Sequence, residues 1–153
     1  MHRRAFCSLV AIAAFTAAPT SIAAQAGAAR TFQARLSTVP IDLTMASTIA
    51  GSGSVTGTLK GRTLVLAGKF TGLKTPATVA RVHRGPTRGM RGSAIFDLAV
   101  SAAGTSGELS GTLELTAAQV EDLEKGRLYV QLHSEKAPDG NLWGWLLAAE
   151  GKK

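Results

Sequence analysis

Two short stretches hold the side chains with the most versatile chemistry, because each places one histidine in a run of alternating apolar and polar residues. Residues 80–85 read Ala-Arg-Val-His-Arg-Gly and contain His83, and residues 128–134 read Leu-Tyr-Val-Gln-Leu-His-Ser and contain His133. A period of two predicts β-strands whose successive side chains point to opposite faces. Both histidines are therefore predicted to lie on the faces directed away from the core, near strand ends.

Imidazole nitrogens bind zinc and copper, so one hypothesis is a metal site formed by His83 and His133, used for metal binding or metal-dependent catalysis. A catalytic zinc ion normally has three protein ligands, which requires a carboxylate as well. The candidates are Asp97, Glu135 and Asp139. Arg81 beside His83 would repel a cation. The alternative is that both histidines hydrogen-bond to loop backbone and fix the strand ends.

A positive cluster follows the first stretch. Its members are Arg81, Arg84, Arg88 and Arg91, with glycines at 85, 89 and 92. The planar guanidinium group matches carboxylate, phosphate and sulfate groups, so the cluster predicts an anion-binding surface. The alternative is a solvated loop. No aromatic residues lie between the arginines, which argues against stacking of nucleic-acid bases.

Trp143 and Trp145 share one face of the last predicted strand, where they would stack on a sugar or cover one end of the fold. Motifs for catalysis are missing from the sequence: there is no Gly-x-Ser-x-Gly elbow, no His-Glu-x-x-His helix and no phosphate-binding glycine loop. We therefore predict no catalytic residues and no cofactor, with zinc or copper as the alternative.

Residues 1–26 have the organisation of a secretory signal peptide. Arg3 and Arg4 precede an apolar run at 6–18, and small residues flank Gln25. The run is about a dozen residues long, too short to span a bilayer comfortably, so we predict cleavage near Gly27 and a periplasmic or secreted protein with no membrane span. Cys7 lies in this leader, so the mature chain would have no disulfide.

The remaining chain is long enough for one domain with its own core. We predict a domain at 27–150 and a tail at 151–153. The full chain has 17 Lys and Arg against 10 Asp and Glu, and loss of the leader leaves 15 basic residues. That surplus bears on solubility more than on a particular partner.

Period-two patterning continues along the chain and predicts seven or eight strands separated by glycine and proline turns. Residues 138–140, Pro-Asp-Gly, are predicted to join the last two strands. One segment differs, since 117–125 has helical spacing, a capping box from Thr116 and a terminating Gly126. The expected fold is an all-β antiparallel sandwich or barrel with one short crossover helix.

Several segments, in this order and spacing, resemble the CHRD domain, the module named after chordin. They are residues 32–40 (FQARLSTVP), 70–73 (FTGL), 80–85 (ARVHRG), 115–126, 128–134 (LYVQLHS) and 138–144 (PDGNLWG). The resemblance implies an immunoglobulin-like barrel with distant similarity to copper-zinc superoxide dismutases, and no settled activity. Arg81 stands where that family usually has a histidine, and Trp143 and Trp145 replace polar residues.

The leading hypothesis is an exported, non-catalytic CHRD domain that acts as a binding or structural module. Its partner would be a protein or an anionic polymer of the cell envelope, and not a nucleic acid. The metal site and the anion-binding surface remain alternatives.

Overall fold

The computed structural model describes residues 28–40, 42–101 and 104–149. The predicted leader at 1–26 and the tail at 151–153 lie outside these residues. The described chain folds into nine strands and one helix. Their bounds are β1 Arg30–Thr38, β2 Ser52–Lys60, β3 Thr63–Thr71, β4 Ala77–Arg84, β5 Ser93–Ser101, β6 Gly107–Glu114, α1 Ala117–Glu124, β7 Leu128–Ser134, β8 Ala137–Trp145 and β9 Leu147–Ala148.

The strands form a closed antiparallel barrel. Neighbours follow the order β2-β3-β6-β5-β4-β7-β8-β1, and β1 pairs with β2 as well as β8, which closes the ring of eight. The short β9 adds to the edge of β1. The predicted all-β antiparallel fold is thus confirmed, and it is a barrel in which every long strand has two neighbours.

The alternating patterns bury one side of each strand in the barrel. Leu128, Val130 and Leu132 of β7 are fully buried, as are Ala80 and Val82 of β4. An eight-stranded barrel is just wide enough for side chains to fill its interior. The interior is therefore a packed core, and residues that can meet a ligand lie on the outer faces and in the loops.

The helix has the caps that the sequence predicts. The Thr116 hydroxyl accepts a hydrogen bond from the Gln119 amide at 3.2 Å, and the Gln119 side chain accepts one from the Thr116 amide at 2.8 Å. Gly126 follows with a φ of +65°, in the left-handed region that ends helices. Leu123 anchors the helix to the barrel core.

The last hairpin differs from the prediction. Glu135 and Lys136 form the turn, and β8 begins at Ala137, so Pro138 and Gly140 lie within the strand. The pairing of β7 with β8 shifts register between Leu132 and Ser134. An irregular ladder accommodates a proline, which has no N–H to donate. The shift also brings the Pro138 carbonyl to His133.

Candidate functional site

Five rings lie together on the outer face of β4, β7 and β8, and we call this surface the ring-lined face. They are His83, Tyr129, His133, Trp143 and Trp145. Strand alternation places them opposite the core residues, and the register pairs His83 with Tyr129 and Tyr129 with Trp145. The cluster contains the only tyrosine and both tryptophans of the chain.

Neighbouring rings of this face pack against one another, with centroid separations typical of aromatic pairs. Tyr129 is central: its ring stacks on His83 with centroids 4.9 Å apart, and lies 4.6 Å from Trp145 and 5.8 Å from Trp143. The His83 and His133 centroids are 6.4 Å apart with planes tilted by 31°. The two sequence-predicted histidines therefore lie near each other on one face, because their strands are neighbours.

The loop between β4 and β5 covers this face. The Gly92 amide donates to the Tyr129 hydroxyl at 3.1 Å, and the Gly92 carbonyl is 3.0 Å from Nδ1 of His83. The Arg91 guanidinium carbon lies 5.5 Å above the Trp143 ring, a cation–π distance. Tyr129 consequently retains only 1% exposure, although its side chain points away from the barrel interior.

A second segment covers the other end of the face. Val39, Ile49 and Ala137 form a small buried cluster against which Met45 and Trp143 pack. His133 is 6% exposed, while Trp143 and Trp145 are half-buried. The outward side-chain direction predicted for His133 is correct, but the covering segments bury the residue.

Hydrogen bonds to main-chain carbonyls fix the neutral tautomer of both imidazoles. Nδ1 of His133 lies 2.7 Å from the Pro138 carbonyl oxygen, and Nδ1 of His83 has its contact with Gly92. A carbonyl only accepts, so Nδ1 carries a proton in each ring, and Nε2 has the lone pair when the ring is neutral. Both Nε2 atoms are buried and have no hydrogen-bond partner among the described residues.

The surroundings of His133 favour its neutral form. Burial lowers its pKa from the ordinary value of 6.5, and electrostatic interactions with His83 and Arg81 lower it further. The hydrogen bond to Pro138 and the nearby Asp139 carboxylate raise it, with smaller combined effect. The neutral form of the His133 imidazole is therefore favoured at neutral pH.

This pKa shift predicts that the metal-free protein loses stability as the solution is acidified. In the unfolded chain His133 takes up a proton near pH 6.5, whereas in the folded chain it does so only at lower pH. The free energy of unfolding is therefore unaffected by His133 above pH 6.5 and decreases as the pH falls below that value. Urea denaturation between pH 8 and pH 5 would measure the decline. His133→Gln should flatten that part of the curve, and an equally steep curve for this variant would contradict the assignment.

The structure separates the four arginines of the predicted anion-binding cluster. Arg81 Nε is 2.9 Å from Oδ1 of Asp97 on the neighbouring strand, and Arg84 Nε is 2.5 Å from Oδ2 of Asp122 in the helix. Arg88 and Arg91 lie in the exposed part of the covering loop. Arg81 and Arg84 are thus paired with carboxylates, whereas Arg88 and Arg91 form no ion pair with a described carboxylate.

The three carboxylates considered as a third metal ligand differ in their surroundings, and only Asp139 acts on His133, whose pKa it raises. Asp97 pairs with Arg81, and Glu135 is exposed in the β7–β8 turn. Across the three described segments, no group of three or more His, Cys, Asp or Glu side chains is positioned to hold a metal ion. The histidine pair is left with two nitrogen donors.

Sequence reasoning missed the main-chain groups that hold this face together. The carbonyls of Gly92 and Pro138 orient the imidazoles, and neither has a side-chain signal. The one usable signal is Gly92 itself, because a Cβ there would overlap the Arg84 carbonyl. A glycine at the start of a strand with ordinary dihedrals indicates such a close approach.

A closed eight-stranded antiparallel barrel with one capped helix and a covered outer face defines an all-β domain. The family model of the CHRD domain matches residues 32–146, and the chain belongs to the CHRD domain family. No match was found among curated proteins or among solved structures. Within the described residues, no helix is both long and apolar enough to cross a membrane.

Proposed function

We propose that this chain is an exported, non-catalytic binding module that holds an anionic polymer of the cell envelope. The binding surface would be the loop–tryptophan surface, formed by Arg88, Met90, Arg91, Trp143 and Trp145. The placement of Arg91 over Trp143 carries the proposal, because it displays a cation at a fixed position beside half-buried aromatic rings. The predicted leader at 1–26 supports a periplasmic or secreted location.

The composition of this surface is that of an interface. Tryptophan, arginine and methionine are enriched where proteins bind partners. Met90 is 55% exposed, and the described residues contain only two other exposed large hydrophobic side chains, Leu43 and Val65. An exposed methionine between two arginines, one of which lies over the Trp143 ring, supports a contact surface.

The loop is also held in place before any partner arrives. The Gly85 amide donates to the Arg127 carbonyl at 2.9 Å at one end, and Gly92 bonds to Tyr129 at the other. Within the loop, the Met90 amide donates to the Thr87 carbonyl at 3.2 Å. A pre-ordered loop loses less conformational entropy on binding.

Charge indicates the class of partner. Arg88 and Arg91 form no ion pair with any described carboxylate, whereas Arg81 and Arg84 each have one. Two free guanidinium groups in one short loop match the repeated carboxylate, phosphate or sulfate groups of a polymer. An acidic protein would be the other occupant consistent with this charge.

The proposal predicts salt-sensitive binding of dextran sulfate, measured by the fluorescence of Trp143 and Trp145. Arg88→Ala combined with Arg91→Ala should weaken binding about tenfold, or about 1.4 kcal/mol, since each of the two exposed ion pairs contributes up to about 1 kcal/mol. Lys60→Ala with Arg62→Ala is the matched control, because it removes the same charge from the exposed turn between β2 and β3.

Two results would contradict the proposal. Equal weakening by both double variants would mean that dextran sulfate responds only to net charge, and affinity unchanged between 50 and 500 mM salt would remove the electrostatic basis. A multiple-turnover activity abolished by His83→Ala would show an enzyme instead of a binding module.

A further inference from the structure

We propose that His83 and His133 form a copper-binding site beneath the covering loop, with the two Nε2 atoms as the protein ligands. This site goes beyond the proposed polymer-binding function and uses different residues. Its basis is the pair of buried, unpartnered nitrogen atoms on neighbouring rings.

The hydrogen bonds of the two rings match those of metal-binding histidines. Such a histidine donates its second N–H to a carbonyl or carboxylate, which fixes the tautomer and orients the free nitrogen. Gly92 and Pro138 supply those carbonyls here. A purely structural role for the histidines explains the Nδ1 hydrogen bonds but leaves both buried Nε2 atoms without a hydrogen-bond donor. Burying an acceptor without a donor costs free energy, because the atom loses its hydrogen bonds to water. One ion between the rings would satisfy both.

The ring separation favours copper over zinc. With metal–nitrogen bonds of about 2 Å, two imidazoles on opposite sides of an ion have centroids about 6.3 Å apart, and two in a tetrahedral arrangement about 5.1 Å apart. The observed separation is 6.4 Å. With both Nε2 atoms bound to one ion, this separation corresponds to the opposite arrangement, which suits the square-planar preference of copper(II). Copper(II) also ranks above zinc in affinity for nitrogen ligands.

The nearby charges set the strength of the site. Arg81 lies close enough to lower the pKa of His133, so it also repels a bound cation, while Asp139 acts in the opposite direction. Asp97 offsets part of the Arg81 charge through its ion pair. With two protein ligands and one opposing cation, binding should be weaker than at a three-histidine site, and Arg81→Gln should strengthen it several-fold.

The test is a titration of the full chain with copper(II), followed by tryptophan fluorescence and electron paramagnetic resonance. Trp143 and Trp145 belong to the same ring cluster as His83, so a bound paramagnetic ion should quench them with saturation at one equivalent. The resonance spectrum should show coupling to two imidazole nitrogens.

His83→Gln and His133→Gln should each weaken copper binding at least tenfold. The chain that begins at Gly27 is the matched control, since it lacks His2, the third histidine of the sequence, and it should bind copper as the full chain does.

Several results would overturn the proposal. They are no saturation near one equivalent, affinity unchanged in His83→Gln and His133→Gln, loss of binding in the chain that begins at Gly27, or tighter binding of zinc than of copper. If circular dichroism shows that the histidine variants are unfolded, nuclear magnetic resonance of the wild type decides the matter. Copper should then broaden the imidazole signals of His83 and His133 before any others, and selective broadening elsewhere would refute the site. None of these outcomes depends on Arg88 or Arg91, so the polymer-binding proposal is tested separately.

Discussion

Replacing Gly92 with alanine is expected to destabilise the domain by about 2 to 4 kcal/mol, among the larger effects of single substitutions. A Cβ at this position would overlap the Arg84 carbonyl oxygen and approach the Gly85 Cα at 2.8 Å. Both neighbours are backbone atoms, so the start of β5 must move. Gly92 would then leave Tyr129 and His83, and both hydrogen bonds would be lost.

Urea denaturation would measure the loss of stability, and the emission of Trp143 and Trp145 should shift to longer wavelength as the covering loop moves away. Dextran sulfate binding should weaken too, because Arg91 would lose its fixed position. Gly104→Ala is the control, since a Cβ there has no neighbour nearer than 3.5 Å among the described atoms, and its effect should stay within about 0.5 kcal/mol. Equal stability of Gly92→Ala and Gly104→Ala would refute the close approach.

Replacing Asp122 with alanine is expected to destabilise the domain by about 2 to 3 kcal/mol. Its side chain is only 4% exposed and lies between Arg84, at 2.5 Å, and Arg127, at 3.3 Å. Removing one member of a buried ion pair costs about 3 to 5 kcal/mol. The expected value is lower here because Arg84 and Arg127 are 50% and 38% exposed and can turn to water.

Thermal and urea unfolding would give the size of this effect. The matched control is Glu121→Ala, which removes the carboxylate next to Asp122 in the sequence. Glu121 pairs with Lys125, and both of these side chains are exposed. That variant should lose less than about 0.5 kcal/mol. A loss for Asp122→Ala no greater than the control's would show that the ion pairs linking α1 to β4 contribute nothing to stability.

Much of the architecture could be predicted from local pattern. Alternation in β1 and β6 indicated which residues enter the core, and the capping box at Thr116 located the helix, because these signals arise from neighbours along the chain. The last hairpin was mispredicted because Pro138 and Gly140 resemble a turn. The register shift between β7 and β8 instead places them in a strand, and register depends on pairing across strands.

In the candidate site too, some features follow from the local sequence pattern and others depend on the tertiary structure. Sequence alone determined that His83 and His133 point away from the core and that Trp143 and Trp145 share a face, since side-chain direction follows from strand periodicity. Only the tertiary structure decided that these side chains are covered, that the arginines divide between Asp97, Asp122 and the open loop, and that two main-chain carbonyls fix both imidazoles. Those features depend on strand order and on where a loop folds back. They arise from contacts between residues distant in the chain, which leave no periodic signal in the sequence.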